Sequence, residues 1–322
     1  MLGTSIISNT ILVVRSDNMN LKIIYAFLNR KLKKKLWSIR TGYKYIPYTA
    51  TIELTSRCNA NCVYCGRDKL PFVGDMSIEH FKKIVDAMPF VGFVGPWAVG
   101  ESLLHPDIFE AIKYVKSKGK YVNISTNGSV LSERVCKGLL EAGLDELKIS
   151  VDTDDKDDYE KTRVPLSWDK LVEGVKRFKK MRDEGGYKTT LIVRMTETPY
   201  NRIYKDRIID FWNKIADIVI YRKVRDFYSE HEETSSKEDI IKCRRIDNEI
   251  IIFANGAVVM CCDDWYCDNQ IGQIDFDDIS TDNILKIFNG EKMNNIRKAM
   301  KEGKNYPFLC DVCVPRVNES DH

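Results

Sequence analysis

From residue 51 onward, the spacing of apolar positions switches repeatedly between two periods. Runs that alternate every second residue give way to stretches with a helical repeat, and then return. The strand-like runs are Thr51–Thr55, 91–99, Tyr121–Ser125, Glu146–Asp152, Thr189–Thr196 and Asp217–Val224. Between them lie helical stretches. One starts at the N-cap Ser77 and places Ile78, Phe81, Ile84, Val85 and Met88 on one face. Another follows Pro106, a residue favoured at a first helical position, and stops at Gly119. Three more cover Ser132–Gly143, Trp168–Arg182 and about 203–214. Strand–helix alternation of this kind predicts a parallel sheet with crossover helices, an α/β class.

Parity along the strands predicts which side chains face which way. Leu147, Ile149 and Val151 share one face, and Lys148, Ser150 and Asp152 share the other. Val122 and Ile124 stand likewise against Asn123, Ser125 and Asn127. If helices cover the apolar face, the polar set points inward, where it costs free energy unless hydrogen-bonded. A bound polar cofactor would provide partners. An internally wet barrel without a ligand is the alternative.

Before residue 51 the pattern is different. Residues 21–40 read as a basic helix, with Leu21, Ile24, Phe27 and Leu28 on one side, followed by Arg30, Lys31, Lys33, Lys34 and Lys35. Asp17 is the only acid in the first fifty residues. Such a helix suits either an anionic membrane surface or packing on the main domain, and its few apolar residues favour the second. The net charge of the whole chain is only +3, which gives no basis for a nucleic-acid partner. The apolar run at Ile11–Val14 is too short to span a bilayer. The start shows neither a basic n-region nor a clear cleavage site, so a cytoplasmic protein is expected.

The chemistry concentrates in Cys58-Asn-Ala-Asn-Cys62-Val-Tyr64-Cys65, just past the first strand. Three thiols at C-x3-C-x2-C spacing leave one unpaired in any disulfide scheme and converge on a soft metal centre. Three thiolates on a four-iron cluster leave one iron open to an outside ligand. A three-sulfur zinc site or three buried free thiols are the alternatives. Ten cysteines in a 322-residue chain without a secretory signal point to metal ligation in a reducing compartment.

This stretch resembles the signature of the radical S-adenosylmethionine (SAM) superfamily, with Tyr64 as the aromatic residue before the last cysteine. The resemblance implies a [4Fe–4S] cluster on Cys58, Cys62 and Cys65 whose open iron is chelated by SAM. It also implies one-electron cleavage of SAM to methionine and a 5′-deoxyadenosyl radical, which abstracts hydrogen from substrate. The six strand–helix units match the family's partial (β/α)6 TIM-like barrel, with the site at the C-terminal ends of the strands. Gly95-Pro-Trp-Ala-Val-Gly100-Glu101-Ser-Leu-Leu-His-Pro106 resembles the family's glycine-rich segment that contacts the SAM amine, although Ser102 replaces the usual proline. By the same resemblance Asn127 lies in a Thr-Asn-Gly turn, and Ser150 and Asp152 take the ribose positions. Arg163, in Tyr159-Glu-Lys-Thr-Arg163, would pair the SAM carboxylate. Arg194 and Arg222 are inner-face candidates by parity, to bind substrate or take a proton.

Six of the cysteines fall after residue 242: Cys243, Cys261, Cys262, Cys267, Cys310 and Cys313. Asn255-Gly256 between Glu249–Phe253 and Ala257–Met260 predicts a hairpin. Gly256-x4-Cys261, Cys-Cys-Asp and Ile271-Gly-Gln-Ile274 resemble the SPASM/twitch domains attached to radical SAM enzymes. That resemblance implies one auxiliary [4Fe–4S] cluster on Cys243, Cys261, Cys310 and Cys313, in a small cysteine-rich α+β domain. Cys262 is interchangeable with Cys261 at this level, and a zinc ribbon is the competing reading. The expected organisation is a basic N-terminal extension over 1–50, a barrel over 51–225, a linker over 226–242 and the auxiliary domain over 243–322.

The activity expected from the resemblance is oxidation or epimerisation of a small hydroxylated substrate, a sugar or aminocyclitol, with a flavodoxin or ferredoxin as reductant. Cys267 is left over as a hydrogen donor, or as an inert thiol. Cys136 reads as core. A peptide-modifying maturase and a non-catalytic metal-binding scaffold are the other two readings.

Overall fold

Six parallel strands carry the fold in the computed structural model, which describes residues 2–7, 10–15, 21–63, 65–197, 201–222 and 243–311. They are β3 (Thr49–Ile52), β5 (Phe93–Gly95), β6 (Tyr121–Thr126), β7 (Glu146–Ser150), β9 (Thr190–Thr196) and β10 (Ile218–Arg222). Each pairs in parallel with the next, in chain order. The crossovers hold α2 (Ile78–Asp86), α3 (Ile108–Ser117), α4 (Glu133–Glu141), α6 (Trp168–Glu184) and α7 (Lys205–Asn213). This is the partial (β/α)6 barrel.

Local chemistry explains the helix starts. Ser77, Ser132 and Ser167 each accept a bond from the backbone N–H three residues on, satisfying a donor that the first turn leaves orphaned. Pro106 lies in the turn before α3, which begins at Ile108 with Asp107 as its cap residue, so the proline stands outside the helix rather than at its first position.

Strand parity holds. Leu147, Ile149 and Val151 are fully buried in one core with Leu171, Val175 and Phe178 of α6. Burying each such side chain is worth about 1.5–3 kcal/mol. Lys148, Ser150 and Asp152, on the other face, are half-buried. Cys136 is fully buried in α4, as expected of a core thiol.

Both edges of the six strands are extended. At the β10 edge, β2 (Thr10–Arg15) pairs antiparallel with β10, and β1 (Leu2–Ile7) pairs with β2. No local pattern in residues 1–18 marks this hairpin. At the other edge β11 (Glu249–Ile252) adds in parallel to β3, followed by β12 (Ala257–Val259) and β13 (Gln270–Gln273). The cysteine-rich stretch therefore shares the barrel's sheet and core, and Cys261 and Cys310 sit in that core. Two helices absent from the sequence reading, Thr281–Phe288 and Glu291–Glu302, close this end. The 226–242 linker lies outside the described residues.

Candidate metal and cofactor site

The chain leaves β3 through Glu53 and Leu54 and enters the loop that carries Cys58, Cys62 and Cys65, all three half-buried. A two-residue ladder pins this loop across the barrel mouth. β4 (Asn61–Cys62) pairs antiparallel with β8 (Arg163–Val164), so Cys62 faces Arg163. Tyr64 lies outside the described residues. Burial pushes the Cys58 and Cys62 thiols up, and the neighbouring Cys65 adds to both because like charges repel. Arg67 opposes the shift at Cys58, and Arg163 opposes it at Cys62. Neighbouring soft donors whose ionised forms repel one another suit a cationic iron centre that replaces their protons.

Gly100 and Glu101 set the position of that loop. A Cβ on Gly100 would lie 2.7 Å from both Arg57 O and Ser56 C, and closer still to Thr55 O. The close approach that glycine permits here is to the chain's own backbone, not to a ligand. Glu101 N donates to Arg57 O at 2.8 Å. The Glu101 carboxylate, which the sequence reading offered to a cationic amine, accepts from Leu103 N (3.1 Å), Thr126 Oγ1 (2.7 Å) and Asn127 N (2.6 Å). At 2% exposure it has no open face. Burial holds its pKa up, against these three donors. Asn127 extends the clasp: its Nδ2 donates to Asn59 Oδ1 at 2.9 Å and lies 4.0 Å from Cys58 Sγ.

Next to Cys62, Asp152 and Arg163 are paired with each other instead of standing free for ribose and carboxylate. Asp152 also accepts from Thr196 N at 2.9 Å. Ser150 Oγ is 3.4 Å from Ser125 Oγ. Two buried polar atoms have no partner here, Arg163 Nε and the hydroxyl of fully buried Tyr159. Unpaired buried donors are costly, so this corner fits a polar ligand. Arg194 projects from β9 level with Ser150 and is half-buried. The Arg222 side chain lies outside the described residues.

Of the later cysteines, Cys261 and Cys310 are buried and Cys243 is half-buried against the same core. Cys313 lies outside the described residues. Cys262 Sγ accepts from Arg245 Nη1, and the Cys261 and Cys262 thiols both donate to Asp263 Oδ2, at 3.6 and 3.5 Å. The ligand atoms of Cys261, Cys262 and Asp263 lie within 4.8 Å of one another.

A narrow cleft, open to solvent, lies between residues of the first loop and residues 253–267. Glu53, Phe72, Val99, Phe253, Trp265 and Cys267 line it. Glu53 is 2% exposed, and burial pushes its carboxyl up. It accepts from Val99 N (3.0 Å) and Ala254 N (3.1 Å), which ties the barrel to the β11–β12 hairpin. Burial also pushes the Cys267 thiol up, to about 11.

Glu53 and Tyr159 were not among the site residues expected from sequence. A carboxylate inside the apolar run Thr51-Ile-Glu53-Leu-Thr55 was the available signal for the first, since buried carboxylates need partners. Tyr159 stood in the quoted segment, but nothing local marks its hydroxyl as buried and unpaired.

Residues 52–204 match the family model of the radical SAM superfamily, and residues 243–314 match that of an iron–sulfur cluster-binding domain. A Pyrococcus furiosus protein described as a tungsten-containing aldehyde ferredoxin oxidoreductase cofactor-modifying protein is 30% identical over 155 residues, 47% of this chain and 44% of that one. An AdoMet-dependent heme synthase of Methanosarcina barkeri is 29% identical over 134 residues, 40% of this chain and 38% of the relative. The chain thus spans less than half the length of these two relatives. The crystal structure of Streptococcus suis SuiB bound to precursor peptide SuiA superposes with a TM-score of 0.58, covering 88% of this chain and 74% of SuiB at 15% identity. That likeness is one of fold.

Proposed function

The chain belongs to the radical SAM superfamily and carries a C-terminal SPASM-type iron–sulfur domain, and from that premise we propose that it moves a hydrogen atom off and back onto a small substrate held in the cleft beside Cys267. When bound, SAM and its [4Fe–4S] cluster supply one-electron cleavage of a sulfonium and abstraction of a substrate hydrogen, and the auxiliary cluster supplies a second redox centre. Cys58, Cys62 and Cys65 hold the first cluster, and Cys243, Cys261, Cys310 and Cys313 the second. Gly100, Glu101 and Asn127 hold the loop that presents the first three thiols. The unpaired Arg163 Nε and Tyr159 hydroxyl, with Ser150 beside them, receive the polar parts of SAM, and Asp152 holds Arg163 in place. Arg194 and Arg222 are assigned to the substrate side of the barrel interior.

The observation that carries the reading is Cys267. Cys267 lines the cleft, and its thiol, already mostly protonated at neutral pH, is held more firmly so by burial, so an S–H is available to return a hydrogen to substrate. The sulfur radical left behind regains one electron and one proton, the electron coming from the reductant, a flavodoxin- or ferredoxin-type protein. The cleft is narrow and opens to solvent. It suits a small hydroxylated molecule, a sugar or aminocyclitol, between aromatic walls and the polar Ser56 and Asn255. A peptide side chain is the second reading, favoured by Phe72 in the cleft wall and by its neighbour Val73, 36% and 57% exposed.

The test is turnover in D₂O with candidate polyols and peptides. Hydrogen return from Cys267 places one deuterium at the attacked carbon, and Cys267→Ala still forms 5′-deoxyadenosine but no epimer. An oxidised product without solvent deuterium would overturn the return step. 5′-Deoxyadenosine that forms only with peptide would overturn the small-substrate assignment.

A further inference from the structure

α1 (Leu21–Thr41) carries an apolar stripe that the other described residues leave exposed. Leu32, Leu36 and Ile39 are 56%, 56% and 72% exposed. At about 100° per residue they point within roughly 60° of one another. The opposite side anchors the helix. Lys34 Nζ donates to Asp247 O (3.1 Å) and Asn248 Oδ1 (2.6 Å). Trp37 packs edge-on against Phe90 with ring centroids 5.6 Å apart, and Ser38 Oγ donates to Tyr43 O at 2.7 Å. The anchored side fixes the rotation of the helix, so the stripe faces outward.

Basic residues border the stripe on both sides. By helical angle Lys33 and Arg40 lie on one flank and Lys31 and Lys35 on the other, all exposed. No Asp or Glu occurs from Leu21 to Lys44. The anchors Asn248 and Phe90 precede the N-terminal ends of β11 and β5, so α1 lies at the barrel end away from Cys58.

We propose that α1 docks this end of the protein on an anionic lipid bilayer, with the stripe in the interface and the basic flanks on the headgroups. An apolar stripe with lysine and arginine borders has the chemistry of a helix lying in the membrane plane. Two copies meeting through this face would bring their basic rows together, which disfavours a homodimer. No helix among the described residues is long and apolar enough to cross a membrane, so the attachment is peripheral. The mouth with its cysteines then faces away from the lipid, open to substrate and reductant.

The test is flotation of the full chain, with its clusters loaded, on vesicles of about 70% phosphatidylcholine and 30% phosphatidylglycerol, against phosphatidylcholine alone. Binding is expected on the anionic vesicles only, and is lost near ~0.5 M salt. Affinity falls roughly five-fold for each basic residue removed. Lys33→Glu/Lys35→Glu/Arg40→Glu abolishes flotation, and Leu36→Ser lowers affinity roughly ten-fold by removing buried apolar area. Both variants keep native iron content, because the changed side chains are exposed and distant from the cysteines. No flotation, equal flotation on neutral vesicles, or flotation indifferent to these substitutions each overturns the proposal. So does a concentration-dependent dimer that the same substitutions dissolve without any lipid binding.

Discussion

The contact between Gly100 and the cysteine loop gives the sharpest prediction. Gly100→Ala adds a methyl 2.7 Å from Arg57 O and Ser56 C and still nearer Thr55 O. Ordinary carbon contacts lie near 3.5–4.0 Å, so one backbone must yield by about 1 Å. All three atoms belong to main chain, and no flexible side chain can take up the shift. Gly100 is not among the residues with positive φ, so the penalty is steric and not conformational. Overpacking of this kind costs about 1–3 kcal/mol, which a domain stable by roughly 5–15 kcal/mol survives. The damage should fall instead on the loop that begins at Thr55 and holds Cys58. A misplacement near 1 Å costs about a hundredfold in rate. The expected result is a folded protein with reduced iron after anaerobic reconstitution and 5′-deoxyadenosine formation down about a hundredfold. Gly42→Ala serves as the control. Its φ of +76° penalises alanine, but nothing lies within 4 Å of the new methyl. It should lower Tm with iron content and rate unchanged. A Gly100→Ala protein with full iron and a rate within about twofold of the parent would refute the idea that this backbone contact positions the thiols.

Lys120 is 7% exposed, with its Nζ donating to Met88 O and Val91 O and no carboxylate bonded to it; burial first, then Lys33, brings its pKa down to about 8. The folded state thus holds its proton less tightly than the unfolded chain. Stability should rise from pH 8 towards 10.5 by on the order of 3 kcal/mol, a rise that Lys120→Met removes; equal slopes in urea titrations of the two proteins would contradict this. Tyr159→Phe removes an unpartnered hydroxyl, so the SAM-free protein should gain about 1 kcal/mol while SAM binds several-fold more weakly. Unchanged SAM affinity by equilibrium dialysis would take the hydroxyl out of the site. Cys261→Ser should lose roughly four of about eight irons per chain and Cys262→Ser none, as elemental analysis can show. Equal losses would mean that the Arg245 contact does not set Cys262 apart.

Much of this was legible in one dimension. The strands, their facing parity and most helix starts follow from local periodicity and from serine caps, which depend on neighbours a few residues away. Cys58, Cys62 and Cys65 stand out for the same reason, because their spacing alone points to a soft metal centre. The partners of Glu101 and Asp152 are not. Both read as free carboxylates for a ligand, yet Glu101 is taken by donors near residues 103 and 126–127, and Asp152 by Arg163 and Thr196. Those partners come from other turns at the same barrel end, and no periodicity reports them.

The last eighty residues show the limit most clearly. Sequence alone marked a hairpin and the cysteine positions there, and implied a small module of its own. Only the fold decided that β11 would add to the free edge of β3, and that Glu53 would accept a bond from Ala254, two hundred and one residues away. Likewise, the sequence placed a basic helix before the barrel, but which of its faces stays bare depended on Lys34 and Trp37 finding Asn248 and Phe90. Local patterns report what each segment prefers. An open sheet edge, a shared core and an uncovered stripe exist only once distant segments have met, because burial and hydrogen-bond satisfaction are properties of the assembled surfaces.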